Sequence, residues 1–406
     1  MSFRTPFHQV FRSGAGAGAF FLNVIVWGIG TGCFKAVLNN YLIDAYSLSA
    51  YERGWLEFFR EMPGLLLVFV LALMHRYSDW KILRIASLIS MLGVASLQFA
   101  SGKIMATFLI TVWSMGEHLA MPVRSSIAML IAREGKQGQS LGYVSAALNA
   151  GTVIGSLIVA LIFYLGMTVF VVSNKLRLYN IVWLVVLVLV FAGFLCILQQ
   201  SGGSSTFRRP RLYFNRKFNL YYALELFYGA RKQIFMTFAP FVLIKQYGLD
   251  TSQVALLFGF CAAVNIFGSP LIGRLADHLG YRNTMIWDTV ILFFVCILYG
   301  HAHRWFEPRT ALIVVCLNYL LDAILSITSL ASNLYVRDIS SSTDETTSTI
   351  STGISVNHLV SVAAAPLGGW IWLKYDVGAL FNFAAVMALA NSACAYMIKP
   401  KKQISK

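Results

Sequence analysis

The sequence contains few charged side chains, and few of those are acidic. Only 12% of the 406 residues are charged, and 32 Lys and Arg residues stand against 17 Asp and Glu residues. Hydrophobic residues make up 58% of the chain, and the mean hydropathy is +0.68. So little polar surface cannot cover a soluble globule of this length. The composition excludes a soluble protein and predicts an integral membrane protein.

Motifs of several enzyme classes are absent. The chain has no H-E-x-x-H segment, no G-x-S-x-G elbow and no G-x-x-x-x-G-K-[ST] phosphate loop. The six cysteines all fall in apolar segments without metal-ligand spacing, which predicts small packing residues and no metal site. We therefore expect no enzyme activity, no cofactor and no ATP drive in this chain. Energy for any transport would come from an ion gradient or from the solute itself.

Long apolar runs are what the chain does contain. A helix needs about 20 mostly apolar residues to cross the hydrocarbon core of a bilayer. Twelve runs approach or exceed this length, which predicts an all-α protein with about 12 transmembrane helices. The runs are 17–43, 54–74, 84–101, 104–132, 141–166, 178–199, 218–246, 253–273, 284–301, 310–336, 350–372 and 377–398.

The positive charges are unevenly divided between the two sides of the predicted membrane. With both termini in the cytoplasm, 19 Lys and Arg residues fall on the cytoplasmic side, 8 on the other side and 5 within spans. This bias follows the positive-inside rule, so nucleic-acid binding is not needed to explain the net charge of +15. Short loops and the lack of N-x-[ST] sites favour a bacterial inner membrane. We expect a monomer.

The chain divides into two halves of six predicted spans. The longest polar break, 199–217, carries a Gly-Gly-Ser-Ser stretch followed by five basic residues. It predicts a cytoplasmic linker between an N-terminal bundle over 1–198 and a C-terminal bundle over 218–398, with a basic cytoplasmic tail over 399–406. Lys35 and Lys232 occupy similar G-x-x-K settings in the first helix of each half, which indicates parallel repeats.

One loop resembles a known family. The segment Gly273-Arg-Leu-Ala-Asp277-His-Leu-Gly280-Tyr-Arg282-Asn, between predicted spans eight and nine, resembles the loop motif of the major facilitator superfamily. The copy usual between spans two and three is not matched by residues 75–81. The resemblance, together with the span count and the 6+6 repeat, implies two pseudo-symmetric six-helix bundles rocking around a central cavity in alternating access. It also implies a gating role for Gly273, Asp277, Gly280 and Arg282.

Ionisable residues inside the spans are the candidate site, because charge in a membrane is expensive and marks function by default. Five acids and five bases were counted there. Seven residues on a helix return to the same face, so Glu117 and Arg124 share a stripe. The proton-coupling candidates are Glu57, Glu61, Glu117, Glu225 and Asp322. The substrate-binding candidates are Lys35, Arg124, Lys232, Asn149, Asn357 and His358.

Each candidate has a plainer alternative. One of Glu57 and Glu61 would pair with Lys35 or Arg60 while the other carries a proton, whereas in the plainer alternative Glu57 would lie in the headgroup layer beside Arg60. Of the adjacent cations Arg231 and Lys232, one would face a cavity and the other an acid in a neighbouring helix. The histidines and asparagines would otherwise be packing residues that tie helices together. Most aromatic residues of the spans, among them Phe20, Trp27, Phe34 and Tyr221, would face lipid or the interface.

Taken together, these patterns predict a secondary active transporter that is proton-coupled and moves a small anionic or zwitterionic organic solute. A lipid, amphiphile or drug exporter of the same fold stays open, favoured by Pro366, Gly368 and Gly369, which resemble an exporter signature. The alternatives of another class are a membrane enzyme and a non-transporting receptor.

Overall fold

The computed structural model describes residues 7–12, 16–74, 76–200, 213–326 and 330–399. Within these ranges it does not describe the side chains of residues 7, 8, 68, 267, 269–277, 330, 343 and 344. The described chain is all-α, as predicted, and its β pairing is an isolated bridge between Phe11 and Ala132. Apart from a 3-10 turn at Arg216–Phe218, its helices are α1 Phe7–Val10, α2 Ala17–Tyr46, α3 Ala50–Leu73, α4 Asp79–Leu97, α5 Lys103–Ile131, α6 Gln137–Thr168, α7 Lys175–Ile197, α8 Asn219–Lys245, α9 Thr251–Trp305, α10 Pro308–Leu325, α11 Leu330–Ile339, α12 Thr343–Lys374 and α13 Val377–Tyr396.

Nine apolar stretches in the described residues are long enough to cross a membrane. Helices α3 and α8 are not among them, although they match predicted spans, because each carries several charged residues in its apolar stretch. Within the span predicted over 310–336 the structure describes α10 and α11, on either side of residues 327–329, which lie outside the described residues.

Helix α9 covers two predicted spans with a sharp break between them. Its backbone is helical on both sides of Gly280, which has φ 75° and ψ 153°. A side chain would strain this conformation, so glycine is the residue that can turn the chain here. The boundary predicted between spans eight and nine is therefore a single-residue kink in the structure.

The chain forms two compact units. The first contains Met1–Leu48, Phe59–Arg208 and Leu249–Ile266, and the second contains Ser49–Phe58, Arg209–Gly248 and Phe267–Lys406. The first turns of α3, which lie in Ser49–Phe58, thus belong to the second unit, whereas the rest of α3 belongs to the first. The start of α9 likewise belongs to the first.

Helix α2 is the central helix of the first unit. Four aromatic side chains spaced seven residues apart are buried on one stripe, Phe20, Trp27, Phe34 and Tyr41. Seven residues make almost two turns, so the four rings follow one face. The Phe34 ring stacks on Trp113 of α5 at 4.6 Å between centroids. The expectation that such aromatic residues mostly face lipid is wrong for this stripe, because packing within the unit encloses them.

Another face of α2 packs against α6 through glycines. A Cβ atom on Gly155 would lie 2.1 Å from the Ile29 carbonyl oxygen, and one on Gly32 would lie 2.6 Å from that of Thr152. Gly28 and Gly151 make equally close backbone contacts. Small residues at four-residue spacing let two helices approach in this way in membranes. The two helices are therefore in contact along their backbones.

Helix α8 is the central helix of the second unit, where it packs on α12 and α13. The ring of Phe235 lies 5.0 Å from Tyr299 of α9 and 5.4 Å from Phe381 of α13. Tyr299 also donates from its hydroxyl to the Ala239 carbonyl oxygen at 2.8 Å. These contacts hold the polar face of α8 in a fixed rotation.

Candidate functional site

A polar layer between α2 and α5 is centred on Trp27 in the first unit. The Nε1 atom of Trp27 donates a hydrogen bond to Oε1 of Glu117. Thr31, one turn further along α2, donates from Oγ1 to the same oxygen at 2.8 Å. Two neutral donors thus hold a half-buried carboxylate within an apolar helix pair.

Arg124 lies on the other side of the same indole. Its guanidinium carbon is 4.0 Å from the centroid of the Trp27 ring, and the residue is 4% exposed. Two of its nitrogens, Nε and Nη2, are shielded and have no hydrogen-bond partner among the described residues. The stripe predicted for Glu117 and Arg124 therefore meets one tryptophan, which the sequence analysis had not assigned to the site.

A second polar cluster joins α3 and α5. Arg60 donates from Nη2 to Glu61 at 2.5 Å, and the Nε2 atom of His118 lies 3.8 Å from the other Glu61 oxygen. His118 is oriented through Nδ1, which lies 2.9 Å from the Ser114 carbonyl oxygen. A carboxylate, an imidazole and a guanidinium are thus neighbours in the first unit. Of the two cations expected to pair with Glu57 or Glu61, Arg60 is the one that the structure places next to Glu61.

Lys35 and Asn149 are less engaged. The Lys35 side chain is exposed between buried neighbours, and within the described part of the chain it has no hydrogen bond or ion pair. Asn149 donates from Nδ2 to the Ser145 carbonyl oxygen in its own helix at 3.0 Å. The structure therefore assigns no role to either of these substrate-binding candidates.

In the second unit, one of the two adjacent cations of α8 meets an acid in a neighbouring helix, as the sequence predicts, while a cavity-facing position of the other stays a prediction. Arg231, which is 2% exposed, pairs through Nη1 with Oδ1 of Asp322 in α10. Lys232 is half-buried, with Nζ 6.0 Å from the centroid of the Tyr228 ring. Asp322 is therefore one half of an interhelical ion pair.

Glu225 of α8 connects two further helices. It accepts a hydrogen bond from Ser332 Oγ of α11 at 3.0 Å and one from Asn357 Nδ2 of α12 at 3.3 Å. His358, the residue after Asn357, is half-buried. The structure thus brings together the candidates Glu225 and Asn357 across α8 and α12.

A small cavity of about 20 Å³ adjoins Glu225, enough for a water molecule. Asp288 also lines it, an acid of α9 that is 7% exposed. Asp288 was not among the predicted candidates, although it falls inside the predicted span 284–301, so the count of five acids within spans is wrong. The same search for ionisable residues would have found it.

Glu57 belongs to a buried network in the second unit and not to a headgroup layer. It is 1% exposed and accepts from Arg53 Nη1 at 2.6 Å and from Gln233 Nε2 at 3.0 Å. Close backbone packing surrounds the network, since a Cβ atom on Gly54 would lie 2.5 Å from the Ala365 carbonyl oxygen. The headgroup alternative is wrong because this start of α3 packs within the unit. Gln233 carries no charge, so a search for ionisable residues does not find it.

The gating candidates are described only in part. Gly280 forms the kink of α9, and Arg282 donates from Nη2 to the Tyr396 carbonyl oxygen at 3.0 Å while its guanidinium lies 4.9 Å from the Tyr396 ring. The surroundings of Gly273 and the side chain of Asp277 are not among the parts of the chain that the structure describes.

One family model matches most of the chain. The family model described as Major Facilitator Superfamily matches residues 16–356. A comparison with curated proteins finds no matching relative.

Among solved structures, a point mutant of the nucleoside transporter NupG is similar at a TM-score of 0.76 and 12% identity, covering 95% of this chain and 100% of that one. The D-xylose-proton symporter is similar at a TM-score of 0.71 and 13% identity, with 96% and 98% covered. A bacterial homolog of the human lysosomal transporter Spinster is similar at a TM-score of 0.65 and 17% identity, with 95% of each chain covered. At these identities the likeness shows the fold.

Proposed function

Since the chain belongs to the Major Facilitator Superfamily and is therefore a membrane transporter and not an enzyme, we propose that it is a secondary active transporter. It moves a small organic solute by alternating access, is coupled to protons, and takes a solute with an anionic or zwitterionic group. Both termini lie in the cytoplasm of a bacterial cell, the chain acts as a monomer, and residues 1–198 and 218–398 form the two bundles.

The contact between Glu61 and His118 carries the proton coupling. Their side chains lie 3.8 Å apart on α3 and α5, both are buried, and Arg60 touches the same carboxylate. At 3.8 Å the imidazole and the carboxylate form no hydrogen bond, but an approach of about 1 Å, when a neighbouring cation moves, would bring them within the distance for proton exchange. A buried acid whose partners change between conformations binds a proton in one conformation and releases it in the other. One of the similar structures is named as a proton symporter, which supports the same reading.

The anionic character of the solute rests on cations in both units. Arg124 and Lys232 lie in helices that also carry acids, Glu117 and Glu225. Such cations can neutralise an anionic group in an environment of low dielectric constant, where the attraction is strong.

Uptake into proteoliposomes tests this function. A mixed pool of labelled metabolites is supplied with and without a pH gradient, for the native chain and for Glu61→Gln. Glu134→Gln, at an exposed position in the turn after α5, is the matched control. We expect at least one solute to accumulate only with the gradient in the native chain and control, and to lose its gradient dependence in Glu61→Gln.

Counterflow, which requires solute exchange but no net proton movement, should persist in Glu61→Gln. Uptake without any gradient dependence in the native chain would contradict proton coupling. Absence of uptake for every solute would count against transport of small metabolites.

A further inference from the structure

The guanidinium of Arg124 has one edge without a partner. Its Nε and Nη2 atoms are both shielded from solvent and make no hydrogen bond to the described residues. These two nitrogens lie on the same side of a guanidinium and direct two parallel N–H groups outward. That edge is the one that binds both oxygens of a carboxylate in a bidentate pair. A complete donor pair, and not a single N–H group, is therefore left over.

The edge is held in a fixed orientation. The guanidinium lies 4.0 Å from the centre of the Trp27 ring, and Trp27 is itself fixed by its hydrogen bond to Glu117. Stacking on an aromatic face restricts a guanidinium and leaves its edge groups free to donate. A pre-oriented donor pair loses little conformational entropy when it binds an acceptor.

An unpartnered pair of donors at this place needs an explanation. Buried polar groups are nearly always hydrogen-bonded, and a cation inside a membrane segment is costly without a partner. Glu117, which shares the stripe, already accepts from Trp27 and Thr31. Arg231 of the second unit differs, because its Nη1 atom pairs with Asp322. Among the described residues, Arg124 thus has no ion pair that would neutralise its charge.

We infer that the Nε and Nη2 edge of Arg124 is the subsite for a carboxylate of the transported solute. This inference rests on the proposed function and narrows its anionic or zwitterionic solute to a carboxylate. One guanidinium balances one negative charge, and the neighbouring Glu117 repels a dianion such as a phosphate ester. A planar carboxylate also matches the two parallel donors in shape.

Access to the edge requires α5 to move away from α2. Pro122, two residues before Arg124, lies within α5 and has no N–H to donate to the carbonyl of His118. A helix bends more easily at such a position. The two helices meet here through long side chains, whereas α2 and α6 are in backbone contact. A small bend at Pro122 would therefore open the edge.

Ligand-induced stabilisation of the purified full-length protein tests the subsite. Thermal unfolding in detergent is measured with acetate, benzoate, succinate and leucine, with benzamide as the neutral analogue and phenylphosphonate as the dianion. The variants are Arg124→Lys, which keeps the charge but loses the fork, and Arg124→Gln. Arg84→Lys, which changes an arginine of α4 that donates to the Leu198 carbonyl oxygen and does not contact Trp27, is the control.

We expect at least one carboxylate to raise the unfolding temperature of the native chain and of the control. The apparent affinity should fall about tenfold or more in both Arg124 variants, because a charge-assisted hydrogen-bond pair is lost. Benzamide and phenylphosphonate should produce no shift. The inference is overturned if none of the carboxylates stabilises the native chain, if the shift survives in Arg124→Gln, or if phenylphosphonate binds as well.

A measurement on the native chain covers the case in which the variants do not fold. Phenylglyoxal modifies arginines, and mass spectrometry reports modification at each position. The stabilising carboxylate should slow modification of Arg124 but not of Arg84, and equal rates at Arg124 with and without it would overturn the subsite. Uptake of solutes that lack a carboxylate, with no effect of Arg124→Lys, would remove the subsite and leave transport intact. Carboxylate binding at Arg124 without uptake of any solute would support the subsite and contradict the proposed transport.

Discussion

Arg231 of α8 and Asp322 of α10 form an ion pair in which the arginine is almost completely buried. Removing two charges from water is costly, and their attraction repays this cost only while both are present. The pair therefore fixes the rotation of α8 relative to α10. It also explains why an acid occurs at position 322 of α10, which is apolar enough to cross a membrane.

Breaking this ion pair on one side should be more harmful than replacing both partners. We expect Asp322→Asn to lower the free energy of unfolding by about 3 kcal/mol, because Arg231 is left buried without its counter-charge. The double variant Arg231→Met with Asp322→Leu should recover most of this loss. The midpoints of denaturant unfolding in detergent measure both. A double variant as unstable as the single one would contradict a structural pair.

The glycine at the α2–α6 contact should not tolerate a methyl group. Gly155→Ala would place its Cβ atom 2.1 Å from the Ile29 carbonyl oxygen, and overpacking of this kind costs about 1–3 kcal/mol. Gly142→Ala in the same helix has no atom within 4 Å of its new Cβ. We expect this control to be neutral or to stabilise by about 0.5–1 kcal/mol, since alanine favours helix. Thermal unfolding of both variants decides, and equal effects would argue against close backbone contact.

The kink of α9 should depend on glycine for conformational reasons and not for space. Nothing lies within 4 Å of a Cβ atom at Gly280, yet its φ of 75° is unfavourable for other residues. Gly280→Ala should therefore cost about 1–3 kcal/mol. Gly18→Ala, in an equally open helical position, is the matched control and should be tolerated. If the two variants unfold at the same temperature, the kink does not require glycine at position 280.

The turn between α12 and α13 should give a pH-dependent contribution to stability. The Ala379 N–H donates to Asp376 and, with Arg304 as a further partner, holds the pKa of this carboxyl below its usual value. A lowered pKa in the folded state stabilises the protein above the unfolded pKa. That contribution is lost as the pH falls through the lowered value.

We expect Asp376→Ala to cost about 1 kcal/mol at neutral pH through loss of the helix cap. The difference from the native chain should shrink in acid. Asp376→Asn, which keeps the cap acceptor without the charge, should show a smaller loss with little pH dependence. Unfolding curves recorded across the acidic range measure this, and a constant difference for Asp376→Ala would contradict the electrostatic part.

Sequence patterns predicted those features that a single helix determines. Membrane thickness fixes the length of an apolar run, so the spans were largely found. The spacing of Glu117 and Arg124, and the divergence of Arg231 from Lys232, follow from helix geometry alone. Their locations relative to Trp27 and Asp322 did not follow, because they depend on how neighbouring helices are rotated.

The features that were missed have two separate causes. Gln233 and Trp27 carry no charge, so a search for ionisable residues passes over them although both bind a carboxylate. Glu57 is buried because the start of α3 packs in the second unit. The predicted ends of a span contain no information about this packing. The depth of a residue in the membrane gives no indication of its partner at that depth.

The glycine contact between α2 and α6 also constrains how this sequence can diverge. Gly28, Gly32, Gly151 and Gly155 lie more than 100 positions apart in two groups, yet each group is kept small by the backbone of the other. A side chain gained at one position is harmful until the helices separate, and separation removes the reason for the other three glycines. Among homologous sequences these four positions should therefore be lost together or retained together, as one inherited unit.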